Sequence, residues 1–211
     1  MRKLFFSFLL LLMTVPSLQA QDFLSAPLSD SLFARIQGLS YPKGCSVARS
    51  ELCHVRVLHV DAEGKVHKGE LVCNKAIAQD LVDIFRKLYE ARYPIEKIRL
   101  IDEYGADDEL SMRDNNSSSF CYRTVSGTKK LSKHATGMAI DINTRYNPYV
   151  RKGKDGRQLI SPDNGRAYAD RRKSYPYKIV KGDLLYRLFI QHGFRWGGNW
   201  KTMKDYQHFE K

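Results

Sequence analysis

At 211 residues the chain has the length of a single domain able to bury a substantial core, and no internal repeat is apparent. Its formal net charge of +12 favours anionic surroundings. The basic residues are scattered, with Lys129-Lys130 and Arg171-Arg172-Lys173 the main clusters, and they accompany no nucleic-acid recognition motif, which argues against a nucleic-acid partner. Both clusters read as solvated loops.

The chain opens with Met1-Arg-Lys and the apolar run Leu4 to Met13, followed by Ala20 as a cleavage residue before Gln21, the pattern of a secretory signal. A membrane anchor is the competing reading. The run is short for a spanning helix, which needs about 20 apolar residues, and no later segment offers one, so no stable membrane span is expected after signal removal. The expected location is secreted or periplasmic, where an envelope rich in carboxylates and phosphates suits the positive charge. Cys45, Cys53, Cys73 and Cys121 then suggest disulfides, with Cys45–Cys53 and Cys73–Cys121 favoured among three connectivities. A zinc–thiolate site lacks any C-x-x-C spacing to support it.

Further along, Asp30 is a candidate cap for a short helix with Leu32, Phe33 and Ile36 on its apolar side. Cys53 to Asp61 and Val66 to Cys73 alternate as a hairpin, and its histidines (His54, His59, His67) read as residues of ordinary exposed sheet faces. Asn74 opens a helix with Ile77, Leu81, Ile84, Phe85 and Leu88 at helical spacing, ended by Pro94. Ile95 to Asp102 predicts a strand, Glu103 to Asp108 an acidic loop, and Ser111 to Arg123 an exposed polar turn ending in Phe120-Cys-Tyr-Arg.

Ser132 to Asn143, S-K-H-A-T-G-M-A-I-D-I-N, is the organising stretch. Gly137 tolerates a sharp turn, and the alternation after it puts Met138, Ile140 and Ile142 on one face and Ala139, Asp141 and Asn143 on the other. A turn at Gly137 brings His134 to the side of Asp141. The following Tyr146 to Ile179 reads as a long loop, Asp183 to His192 as a helix ended by Gly193, and Trp196 and Trp200 as core aromatics ahead of Asp205-Tyr-Gln-His208. Catalytic zinc usually takes three protein ligands and keeps a fourth position for water, and His134, Asp141 and His208 supply such a set.

The spacing S-x-H-x-x-G-x-A-x-D, followed later by an acid, two residues and a histidine, resembles the zinc peptidases that cleave next to D-amino acids in bacterial cell walls. These are the D-alanyl-D-alanine carboxypeptidases and dipeptidases and the L-alanyl-D-glutamate endopeptidases. Ser132, His134, Gly137, Ala139, Asp141, Asp205 and His208 occupy the fixed positions. The resemblance, read from about Ile95 to the end, implies an α+β fold with a small antiparallel sheet flanked by helices, related to the Hedgehog domain. It implies Zn2+ as cofactor and peptidoglycan peptides as substrate. By it Asp205 is the general base, where the family more often has glutamate, and Arg123 is the arginine aimed at the substrate carbonyl, with Arg113 as fallback. Ser119, Asn116 and Ser132 are the expected substrate-lining residues.

The expected organisation is a signal over residues 1–20, an N-terminal extension over 21–94 packed on the domain, and a zinc peptidase domain over 95–211. A non-catalytic, zinc-containing wall-binding domain is the alternative, and the acid at Asp205 speaks against it. Neither the stem-peptide bond cleaved nor the oligomeric state is legible.

Overall fold

The computed structural model describes residues 22–125, 127–153 and 155–211; the expected signal over Met1–Ala20 lies outside the described residues. β1 (Leu24–Pro27), α1 (Asp30–Ile36), β2 (Leu52–Val60) and β3 (Val66–Asn74) come first, and the three strands form an antiparallel sheet in the order β1-β2-β3. Alternation decides its faces: Val55 and Val57 are buried while Arg56 between them is exposed. The α1 cap is Ser29, whose side chain accepts from the Leu32 amide, and Asp30 is the first helical residue. Of the hairpin histidines, His59 is buried, with Nδ1 2.7 Å from the Ile95 carbonyl, so its face is not an ordinary exposed one.

α2 (Lys75–Glu90) packs on this sheet. Asn74 starts it by accepting from the Ala76 amide at 3.0 Å, and Ile77, Leu81, Ile84, Phe85 and Leu88 all face the core, as the 3.6-residue spacing requires. All four cysteines are free thiols. Neither expected pairing is present, and Cys53 lies opposite Cys73 across β2 and β3.

The expected strand from Ile95 shrinks to β4 (Lys97–Ile98), and the chain then winds through a 3-10 turn, Ile101–Tyr104, that Gly105 ends. After α3 (Asp108–Arg113), β5 (Asn116–Ser117) pairs in parallel with β4. The polar run here is not an exposed turn, since Ser111 and Asn115 to Cys121 are buried. A polar stretch can enter a core when its groups are paired. Asn116 shows how: its amide nitrogen donates to the Arg99 carbonyl and to Ser111 Oγ, and its Oδ1 accepts from the Arg99 amide.

The C-terminal half supplies β6 (Ala139–Asp141), β7 (Tyr149–Lys152), β8 (Gln158–Ser161), α4 (Leu184–Gln191), β9 (Arg195–Trp196), β10 (Met203–Asp205) and β11 (His208–Glu210). They form two more antiparallel sheets, ordered β6-β11-β9 and β10-β7-β8. Tyr146 to Ile179 is therefore not one long loop; it contains the β7–β8 hairpin and a 3-10 turn, Asp163–Tyr168. Arg171 ties the remainder down by donating to the Tyr146 and Ile179 carbonyls and to Asn147 Oδ1, with its guanidinium 4.3 Å from the Tyr206 ring centre. It is a tether, not a solvated charge.

One core joins the two halves: Leu81, Phe85 and Leu88 of α2 share a cluster with Ile140, Phe189, Trp196 and Phe209. The architecture is mixed helix and strand, consistent with α+β, and among the described residues its antiparallel strands are divided among small three-stranded sheets. Among the described residues no helix is long and apolar enough to cross a membrane.

Candidate metal centre

The motif strand β6 lies beside β11 with Asp141 opposite His208, which brings two segments far apart in sequence to one point. Before β6 the chain makes a 3-10 turn, His134–Thr136, closed by Gly137 in the left-handed region at φ +67. Gly137 also packs tightly: a Cβ there would stand 2.6 Å from the Asn74 backbone nitrogen. Only glycine meets both conditions, and the turn swings His134 back over Asp141.

His134 Nε2 lies 3.2 Å from Asp141 Oδ2 and 3.2 Å from His208 Nδ1, and His208 Nδ1 lies 2.9 Å from Asp141 Oδ1. All three residues are buried, and their ligand atoms fall within 4.8 Å of one another. Ligands at about 2.1 Å around a tetrahedral ion stand roughly 3.4 Å apart, so the observed spacing suits one ion.

The outer edges of the rings explain why a cation belongs there. His134 Nδ1 is 2.6 Å from the Ser119 carbonyl, which can only accept, so that nitrogen carries the proton and Nε2 is left with a lone pair. His208 Nε2 faces Glu210 Oε2 at 3.4 Å, leaving Nδ1 in the same state. With both rings neutral, two lone pairs and a carboxylate converge without a donor between them. Positive charge, from a metal or a proton, relieves the repulsion.

The electrostatics agree. Burial works to raise the Asp141 pKa, but His134 and His208 outweigh it and hold the carboxyl well below the usual range. Burial opposes a charge on His208 as well; its bonds to Asp141 and Glu210 win and push its pKa up to about 10. The site attracts cations.

Asp205, on β10, faces the same group. Burial raises its pKa to about 7 against the pull of His208, and its Oδ1 is buried with no hydrogen-bond partner. A buried carboxylate oxygen without a partner costs free energy, and such groups concentrate where chemistry is done. Gly197 holds it close: a Cβ at 197 would stand 2.6 Å from the Asp205 carbonyl and 3.3 Å from His208 Cβ. Arg123 sits at the edge of the site, half-buried, with one guanidinium nitrogen 2.6 Å from Asp108 Oδ2 and its Nε unpartnered. Burial disfavours its charge, and the Asp108 and Asp141 carboxylates more than restore it.

Residues 126–211 match the family model described as D-alanyl-D-alanine carboxypeptidase. The resemblance read from the motif holds over that segment, which takes in His134, Asp141, Asp205 and His208. The D-alanyl-D-alanine carboxypeptidase match begins later than Ile95, so Asn116, Ser119 and Arg123 precede it. No curated protein and no solved structure matches the chain.

Three expected lining residues do not line the site. Asn116 is committed to the β4–β5 pair, the Ser119 hydroxyl donates to the Ala139 carbonyl at 2.6 Å, and Ser132 Oγ accepts from the His134 amide at 3.2 Å. Ser119 and Ser132 brace the histidine turn, the first through its carbonyl on His134 Nδ1 and the second through its hydroxyl on the His134 amide. Arg113 pairs with Asp163 at 2.6 Å. Sequence reasoning missed Glu210, Gly197 and Asp108, of which only Glu210 left a signal: it stands two places after His208, on the same side of a strand. Trp196 is buried in the core, whereas the Trp200 ring packs 5.4 Å from the His208 ring. A cavity of about 410 Å³, between His59, Glu96 and Arg145, contains none of the motif residues.

Proposed function

We propose that the protein is an exported zinc peptidase hydrolysing the stem peptides of peptidoglycan, as a D-Ala-D-Ala carboxypeptidase or an L-Ala-D-Glu endopeptidase. The observation that carries the reading is the buried His134–Asp141–His208 group with Asp205, whose Oδ1 is buried without a partner, facing it. The family match over the same residues supports peptidase chemistry, and the leader composition of Met1 to Ala20 supports a secreted or periplasmic location.

His134 Nε2, an Asp141 oxygen and His208 Nδ1 would hold the ion. When bound, zinc supplies a polarising charge and a water acidified toward a pKa of about 7. Asp205 takes the proton from the attacking water and delivers it to the leaving amine, a role suited to a carboxyl that titrates near neutrality. Arg123 stabilises the negative oxygen that develops on the attacked carbonyl, since its charge persists and its donors are fixed. Asp108 keeps that guanidinium at the rim.

The test pairs zinc content, by atomic absorption, with mass spectrometry of cleaved muropeptides. His134→Ala loses the metal and the activity. Asp205→Ala keeps the metal and loses turnover by roughly 10² to 10⁴. Full activity in the second variant would remove Asp205 from the mechanism, and absence of metal from the wild type would remove the hydrolase reading.

A further inference from the structure

The β10-β7-β8 sheet does more than deliver Asp205. In its register Asp205 is opposite Tyr149 and Met203 is opposite Arg151. Cross-strand partners share a face, and so do residues two apart on one strand. Asp205, Tyr149, Met203 and Arg151 therefore stand on the same side, with Arg151 one two-residue step, about 7 Å, farther along the strand from the Asp205 pair than Tyr149.

That face runs into a groove of about 310 Å³ between the end of the β7–β8 hairpin and the segment leading into β10. Arg151, Lys152, Lys201 and Lys204 line it, and no acidic residue does. Among the described residues none of these four cations has a carboxylate within 4.0 Å, although many other basic side chains do, Arg113 and Arg123 with them. The acid at the hairpin end, Asp155, is engaged by Arg157, whose amide donates to Oδ1 at 3.0 Å and whose Nε lies 3.8 Å from Oδ2. Lys204 donates to the Gly198 carbonyl at 3.2 Å and stands, like Lys152, one residue off the Asp205 face, so Arg151 is the strand cation on that face. Like charges without a counter-charge in a groove raise the local potential and attract anions.

We infer that Arg151, backed by Lys201 at the groove wall, is an anion subsite that binds a carboxylate of the peptide substrate about two residues from the scissile bond. This rests on the hydrolase reading for its substrate and on the sheet register for its position. An extended peptide advances about 3.3 Å per residue, so a side-chain or terminal carboxylate two residues along reaches the Arg151 guanidinium while the scissile carbonyl stays beside Asp205. Arginine suits the task by its two parallel donors. The Tyr149 phenol lies between them, its pKa raised by burial, with the Arg151 and Asp205 charges acting on it in opposite directions.

The probe is a pair of stem-peptide analogues identical except for a carboxylate or a carboxamide at that position. Calorimetry with the zinc-loaded protein gives Kd for each, and product analysis gives KM and kcat. We expect the wild type to favour the carboxylate roughly tenfold or more in Kd and KM. Arg151→Gln abolishes the preference, and Arg151→Lys keeps part of it. Equal Kd values for the two analogues in the wild type, or an undiminished preference in Arg151→Gln, overturns the subsite. Hydrolysis of neither analogue, with a Kd preference that Arg151→Gln removes, upholds the subsite and overturns the hydrolase.

Discussion

Glu210 meets the edge of the His208 imidazole that points away from Asp141, with Oε2 3.4 Å from Nε2, while its other oxygen takes Arg195 at 2.9 Å. The carboxylate holds the proton on Nε2 and so keeps Nδ1 free for a metal. Glu210→Gln should weaken metal retention about 10- to 100-fold, because an amide fixes the tautomer less firmly. Competition with a chelator of known affinity measures it; unchanged retention would mean that ring packing against Trp200 alone orients His208.

Asp205 makes metal-free protein sensitive to pH. Its carboxyl is raised from 3.8 to about 7 by burial, so between those values the folded chain keeps a proton that the unfolded chain releases. The stability this group provides is complete below about pH 4 and is lost as pH rises through about 7. Metal-free Asp205→Asn should melt on the order of a few degrees higher than wild type at pH 8, with the gap closing below pH 4. Scanning calorimetry across that range gives the answer, and a gap that widens toward acid would contradict the burial argument.

Gly197 sets how near β10 comes to β11. An alanine methyl would meet the Asp205 backbone at 2.6 Å and the Asp205 Cβ at 2.7 Å. Gly197→Ala should cost about 1–3 kcal/mol of stability and depress turnover along with it, as the base and His208 are pushed apart. Thermal unfolding and steady-state assays of the same preparation distinguish this from a purely structural loss, in which turnover per folded molecule stays constant.

The Asp108–Arg123 pair tests the role of the arginine. Arg123→Gln should lower kcat by roughly 10² to 10³, in the range of a lost oxyanion donor. Asp108→Asn should fall between that variant and wild type, since the guanidinium stays charged and loses only its anchor. If both variants change KM alone, Arg123 binds the ground state and does not act on the transition state.

What the sequence discloses depends on how local the cause is. α2 and the β2–β3 hairpin follow from period and polarity within a few residues, and the candidate metal trio follows from side-chain chemistry that few other roles demand. Asn116 and its neighbours read as surface because a polar run is buried only when partners such as Arg99 and Ser111 arrive from other elements. Arg171 misleads in the same way, since its acceptors are the Tyr146 and Ile179 carbonyls on either side of a hairpin. Arg151 shares a face with Asp205 only through the pairing of β7 with β10, and the separation of 54 residues between the two conceals it.

The close seat of Gly137 against Asn74 has a consequence for where the molecule can be divided. The Asn74 amide donates to the Gly137 carbonyl at 2.9 Å, and the Asn74 side chain holds the Thr136 carbonyl at 3.1 Å. The histidine turn is thus braced by the junction of a strand and a helix that precede the family-matched segment entirely. Residues 126–211 severed from that brace would keep every ligand and lose the wall that aims the first of them.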